Sequence, residues 1–265
     1  MEGSELGQNP VVQAAVIFGV GTVAAAINTM AGGGSYLVLP LLVFFGVDPL
    51  SANATNRLAI CFQTATATVR LARDRVLRWR IAVRVAAVAL AGGAGGAALA
   101  AALDPGRYRS WMGWLLLVGL VFFLAKRSGA AAAPEGESPG AEPERSARSL
   151  LGLLGVALLG VYGGFLGAGV GVMIIFFLTP ILRLDLVRMV AVKVLMVGAI
   201  SVAASVVYLS QGLVDPVTAA PLIVGNVVGG WLGARWTLQA GARRVRWVVA
   251  GVAAAMAVAL LCGWP

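Results

Sequence analysis

Asn28-Thr-Met-Ala-Gly-Gly-Gly-Ser-Tyr36 is the stretch on which the reading of this chain turns. It interrupts an apolar run that starts near Val11 and resumes at Leu37. Three consecutive glycines weaken a helix by roughly 1 kcal/mol each relative to alanine. In a lipid bilayer, a broken backbone survives only where protein or a polar cavity satisfies its amides. A second break follows at Gly163-Gly-Phe-Leu-Gly-Ala-Gly-Val-Gly171. Two broken apolar segments at matching positions point to a ligand site between repeats.

The surrounding composition supports a membrane setting. Of 265 residues, 60% are hydrophobic and 12% charged, half of the charge that soluble domains carry (about 25%). Several apolar runs reach the roughly 20 residues needed to span a bilayer. The net charge of +9 does not indicate nucleic acid, because the arginines cluster in short loops between apolar segments, as at Arg70, Arg73, Arg75, Arg78, Arg80 and Arg84. Cytoplasmic loops have that character under the positive-inside rule. Cys61 and Cys262 have neither disulfide nor metal spacing and read as packing residues. The N-terminus lacks the positive region of a cleaved signal peptide, so the first apolar helix is expected to direct insertion.

Along the chain, apolar segments are expected near 11–30, 35–46, 49–70, 81–103 and 111–125. The second is too short to cross comfortably, and either a kinked span or a hairpin turning inside the membrane would account for it. Gly92 and Gly96 form a GxxxG face suited to close helix packing. Residues 126–148 contain four of the eleven acids and almost no core-forming side chains, which predicts a flexible cytoplasmic linker.

The second half repeats the first. Adding 137 to a residue number carries Gly32 to Gly169, Gly34 to Gly171, Asp48 to Asp185, Gly92 to Gly229 and Arg107 to Arg244. An internal repeat explains one ungapped offset over so many positions. Residues 70–84 hold six arginines, whereas 207–221 hold none, which places those loops on opposite sides. The expected architecture is therefore an all-α integral membrane protein of two inverted repeats, 1–125 and 149–265, about five segments each, with Arg235–Arg246 a further cytoplasmic loop. Both termini lie outside an inner (plasma) membrane in this reading. The count is ten segments, or eight spans if each glycine stretch is a hairpin.

Catalytic sets are missing from this sequence. It has no histidine, and its acids sit in loops or at segment ends, so a metal site, a hydrolytic triad or an intramembrane carboxylate relay lacks its residues. No cofactor is expected, and an enzyme is disfavoured. What the apolar segments do hold is cationic. Lys193 lies in Met189-Val-Ala-Val-Lys-Val-Leu-Met196 and Arg57 in Ser51-Ala-Asn-Ala-Thr-Asn-Arg-Leu58. Both are about two turns into their helices from opposite faces, which would let them approach the midplane together. Snorkelling, or capping of a helix C-terminus elsewhere, is the structural alternative. With no acid nearby, a small anionic ligand is the simplest partner. Gly32, Gly33, Gly34, Gly167, Gly169 and Gly171 would add backbone donors at helix restarts, with Asn28, Thr29, Ser35 and Asn56 as neutral ones. Helix packing is the competing account of these glycines, and Asn53, Gln63 and Asn226 read first as interhelical glue.

At these residues the chain resembles the TauE/SafE sulfite exporter family, also called the 4-toluene sulfonate uptake permease family. The resemblance runs over Ala31-Gly-Gly-Gly-Ser, Leu37-Val-Leu-Pro-Leu-Leu, Ala54-Thr-Asn-Arg-Leu, the glycine motif Tyr162 to Gly171, and Gly229-Gly-Trp-Leu-Gly-Ala-Arg235. Val190-Ala-Val-Lys-Val is similar to the family's Asn-Ala-Thr-Lys-Leu, with Val192 replacing threonine, and Asn56-Arg57 is not its commonest first-half pairing. The resemblance implies transport of sulfite, sulfonates or other small sulfur-containing anions, and the expected function is a secondary transporter, an exporter, of a small sulfur-containing or organic anion working by alternating access. A channel-like anion pathway and a non-transporting membrane scaffold are the alternatives, and a homo-oligomer is compatible with either.

Overall fold

The computed structural model describes residues 9–112, 114 and 150–261, with the stretch beyond 239 as backbone alone. Eight helices organise these residues: α1 (Pro10–Met30), α2 (Ser35–Phe44), α3 (Pro49–Arg73), α4 (Trp79–Ala101), α5 (Leu150–Phe165), α6 (Val170–Leu182), α7 (Leu186–Ser210) and α8 (Pro216–Leu261). Residues 105–112 are also helical and follow α4. The expected linker at 126–148 lies outside the described residues, as do most of the 111–125 segment and Cys262.

Local chemistry sets the boundaries. Asn9, Asp48 and Asp185 cap α1, α3 and α7, each accepting from a backbone N–H of the first turn. Pro10 and Pro49 occupy first helical positions, where a missing N–H costs nothing. The offset of 137 extends to the helices themselves, since α3 at 49–73 maps onto α7 at 186–210 without a residue to spare. In one respect the sequence reading fails. A basic loop was expected at Arg235–Arg246, yet α8 is helical from Pro216 through Leu261. That stretch contains no proline and one glycine, Gly241, among helix-favouring Arg, Ala, Leu and Gln. Charge spacing was misread there as a chain break.

Two apolar cores lie at opposite ends. One gathers Ile17, Leu42, Leu50, Ala100, Tyr208 and Leu222, the other Leu71, Ile81, Leu182, Met189 and Ala234. Helices α1, α3 and α8 run from the first core to the second, whereas α4, α5 and α7 run the other way. The principal pairings are α1 with α8, α4 with α5, α4 with α7, and α3 with α8. Exchanging α1 to α4 with α5 to α8 maps this set onto itself. Glycine seams allow the closest approaches. Gly225 and Gly233 face the Phe18 and Ala26 carbonyls, while Gly92 and Gly160 bring α4 and α5 backbone to backbone. A side chain would fill these gaps, so helix packing accounts for these glycines.

Each glycine break turns a hairpin. Gln13, near the start of α1, lines the same cavity as Phe45 to Asp48, just past α2. The Phe177 ring of α6 lies over Gly155 near the start of α5. Both short helices therefore return towards the end from which the preceding helix came. Four of the described helical spans, Pro10–Met30, Trp79–Ala101, Leu186–Ser210 and Pro216–Gln239, are long and apolar enough to cross a bilayer. The 25-residue α3 has the length but carries buried Asn53, Asn56, Arg57 and Gln63.

Candidate functional site

The two hairpin tips meet inside the protein. Gly32 has φ +96°, a conformation that glycine adopts without strain, and a Cβ there would stand 2.6 Å from the Val172 amide nitrogen. Gly171 packs back against Gly32 and against the Lys193 side chain. Gly169, at φ +75°, lies under the ring of Tyr36, 2.9 Å from where its Cβ would be. Gly33 and Gly34 accept from Tyr36 and Leu37 at 3.1 and 3.0 Å, which starts α2. A Cβ at Gly34 would strike the Ala24 carbonyl, and one at Gly167 would overlap the Arg57 guanidinium.

Lys193 and Arg57 flank this contact on separate tips. Lys193 Nζ donates to the Asn28 and Thr29 carbonyls at 2.8 and 2.7 Å, at the C-terminus of α1. Arg57 Nη2 donates to the Leu166 carbonyl at 3.1 Å, just past α5. Both side chains are buried, Arg57 with 0% and Lys193 with 1% of its surface exposed. Neither forms an ion pair among the described residues. The two cations take a crossed arrangement, in which each half's cation rests on the other half's tip. The reason is electrostatic. A helix C-terminus presents unfilled carbonyls and the negative end of its dipole, which suit a buried cation. At Lys193 this is the structural alternative, capping of a helix C-terminus, here that of α1.

The neutral candidates are engaged as well. Asn28 Nδ2 donates to Gln63 Oε1 at 3.3 Å, and Gln63 Nε2 to Thr29 Oγ1 at 3.1 Å. Asn56 Nδ2 donates to Ser35 Oγ at 3.0 Å. Asn226 donates within its own helix, to the Leu222 carbonyl.

The second tip carries a feature the sequence reading missed. All four tyrosines of the chain gather there. Tyr208 donates to the Gly164 carbonyl at 2.7 Å, Tyr108 to Phe165 at 3.1 Å and Tyr162 to Ala168 at 2.6 Å. Asn53 Nδ2 also donates to Phe165, at 2.9 Å. These bonds satisfy carbonyls that a broken helix leaves open, as a lipid-embedded break requires. The available signal was compositional, three tyrosines in three different apolar segments and Tyr108 in the loop between two others. Yet several groups around this tip have no partner. Arg57 Nε and Nη1, the Tyr36 hydroxyl and Asn53 Oδ1 are buried without a hydrogen bond. A buried polar group left so normally costs about 1–3 kcal/mol, so the two unfilled nitrogens of Arg57, with Asn53 Oδ1 one turn before it on α3, mark a place for a ligand.

Crossed helical hairpins, membrane-length apolar helices and a buried unpaired cation at a backbone break define a polytopic helical membrane protein of transporter type. Comparison with known proteins agrees. The family model described as "Sulfite exporter TauE/SafE" matches residues 17–260, and the chain belongs to that family. It is similar to the probable membrane transporter protein YfcA of Escherichia coli K12, 26% identical over 93% of this chain and 88% of the relative. Probable membrane transporter proteins of Haemophilus influenzae (26%, covering 88% of each chain) and Xylella fastidiosa 9a5c (31%, covering 80% of each) match as well. No solved structure matches.

Proposed function

We propose that this protein is a secondary transporter that exports a small sulfur-containing or organic anion, such as sulfite or a sulfonate, by alternating access between two inverted halves. The observation that carries the reading is Arg57, a wholly buried guanidinium facing no carboxylate among the described residues, with Nε and Nη1 unfilled. A buried charge of this kind is costly unless a counter-charge visits it, and an anion is the ligand that it favours. Lys193 and the glycine tips hold that site in place.

Alternating access has support in an asymmetry between the ends. A cavity of about 400 Å³ opens beside Gln13, Asp48, Ser51 and Asp215. Phe45, Val47 and Thr218 also line it, and the residues related to them by 137 are Leu182, Leu184 and Ile81, all buried in the opposite core. The asymmetry is confined to these three apolar positions, since Arg183 and Arg80, the counterparts of Gly46 and Val217, are exposed; a carrier's halves would differ in this way in one of two exchanged states. In this reading the cavity faces outward, the arginines of 70–84 face the cytoplasm of an inner membrane, and 126–148 links the halves.

The test is counterflow in proteoliposomes with radiolabelled sulfite. Saturable uptake that is accelerated by sulfite on the far side, and lost in Arg57→Met, is expected. Ohmic, non-saturating flux would make the protein a channel, and wild-type flux in folded Arg57→Met would remove Arg57 from the site.

A further inference from the structure

We infer that the substrate site is the second tip alone, and that its ligand is an oxoanion carrying a hydrogen-bond donor of its own. The inference rests on the anion-carrier reading and deepens it. The two tips are related by the offset of 137, but their cations are not equivalent. Lys193 is bound by two successive carbonyls, Asn28 and Thr29. Arg57 is bound by one, Leu166, and keeps the N–H groups of Nε and Nη1 unfilled inside the protein. Guanidinium is a donor at every nitrogen and an acceptor at none, so these positions call for oxygen atoms bearing negative charge. Tyr36 adds a neutral hydroxyl, which lies over Gly169, three residues further along the same tip, beside the Tyr162 hydroxyl and without a hydrogen bond of good geometry.

Asn53 supplies the opposite requirement. It stands one turn before Arg57 on α3, and its Nδ2 is fixed by the Phe165 carbonyl, adjacent in sequence to the Leu166 carbonyl that Arg57 holds. That bond rules out an exchange of its amide N and O, since a carbonyl must face the nitrogen. Its Oδ1 is therefore a true acceptor, buried and unfilled. A bare sulfonate or carboxylate cannot satisfy it. A protonated oxoacid such as hydrogensulfite can, as can an alkylsulfonate bearing a hydroxyl or amino group. Lys193 is on this account a positioning residue, which holds the first tip, and through it Tyr36, against the second.

The experiment uses the full chain in detergent micelles and two probes of equal charge and similar size, 2-hydroxyethanesulfonate and propane-1-sulfonate. Binding is followed by calorimetry and thermal shift. The wild type is expected to bind the hydroxylated probe about tenfold or more tightly, because a site with an unfilled polar atom discriminates against ligands that cannot fill it. Asn53→Leu is expected to bring the ratio close to one. Tyr36→Phe is expected to weaken both probes several-fold and preserve the ratio. Because Asn53 also anchors the tip and its variant can fail to fold, the wild-type ratio decides the matter by itself. Equal affinities that vanish in Arg57→Met would overturn the donor requirement and leave the anion carrier standing. Binding of neither sulfonate, nor of sulfite, would overturn both.

Discussion

Lys193 Nζ donates to the Thr29 carbonyl at 2.7 Å, and 137 residues beyond Thr29 the Leu166 carbonyl accepts from Arg57 at 3.1 Å. The same backbone position in each half thus receives a cation from the other half's central helix. Matching geometry does not mean matching roles, and the two side chains separate on stability. Lys193→Met strips the Thr29 carbonyl of its donor at a buried helix end, at about 1–3 kcal/mol, while the Asn28 carbonyl keeps the Gly32 N–H at 3.0 Å. Arg57→Met loses one bond but removes a charge that is poorly compensated in the empty protein, and such replacements are often close to neutral. The expected outcome is a lower melting temperature for Lys193→Met, by the equivalent of about 1–3 kcal/mol, with sulfite still bound. Arg57→Met should melt within ~1 kcal/mol of wild type and bind no sulfite. Equal destabilisation of both variants would refute the division of roles.

Tyr162 and Tyr36 give a second pair of expectations. The Tyr162 hydroxyl donates to the Ala168 carbonyl at 2.6 Å, whereas that of Tyr36 has only Tyr162 as a polar neighbour and no hydrogen bond of good geometry. Tyr162→Phe should cost about 1–2 kcal/mol, since it leaves a buried carbonyl unpaired. Tyr36→Phe should leave the ligand-free melting temperature unchanged or slightly raised, and show its effect only when an anion is added. Chemical denaturation of the purified variants, with and without sulfite, measures both.

Among the glycines, contrast is the useful tool. Gly32 combines φ +96° with backbone atoms of Gly171 and Val172 closing on its Cα. Gly32→Ala is strained and collides with backbone that cannot rotate away, so a loss of ~3 kcal/mol or more is expected. Gly95 sits in α4 with open space around it and faces outward. Gly95→Ala should be neutral, or stabilising by up to about 1 kcal/mol through helix propensity. Size-exclusion melting curves of the two variants test whether the tips are locked by shape.

Much of this architecture could be read from the residues because repetition is a one-dimensional signal. Asp48 and Asp185, each opening a 25-residue helix, are visible as a fixed spacing before any contact is known. The glycine breaks were legible for the same reason, and their turning back as hairpins followed once Gln13 and Asp48 were seen to share a cavity. The partners of the cations were not legible. Lys193 reaches carbonyls 164 and 165 residues away, and backbone acceptors have no letter in a sequence. Capping of a helix C-terminus was open as an alternative for each cation, but no letter says which helix end it would be, and at Lys193 it is the end of α1. The tyrosines around Gly164 to Ala168 escaped for a related reason, since a tyrosine in an apolar run looks like packing until its hydroxyl is seen on a carbonyl.

The direction of the hairpins yields the last prediction. If α1 and α2 were one kinked span, Gly46 would lie on the opposite side of the membrane from the start of α1. In the structure, Gly46 lines the cavity with Gln13 and with Asp215 at the α7–α8 turn, while Arg73 ends α3 at the other core. A cysteine at Gly46 finds open space, and its positive φ of 86° costs only about 1–2 kcal/mol. In a Cys61→Ser, Cys262→Ser background, Gly46→Cys and Gln211→Cys should react in intact cells with a membrane-impermeant maleimide. Arg73→Cys should react only after permeabilisation, because the proposed orientation puts its arginine-rich end in the cytoplasm. Labelling of Gly46→Cys together with Arg73→Cys, on the side away from Gln211→Cys, would replace the hairpin by a span. It would also change the sidedness of the cavity, and with it the end from which an anion reaches Arg57.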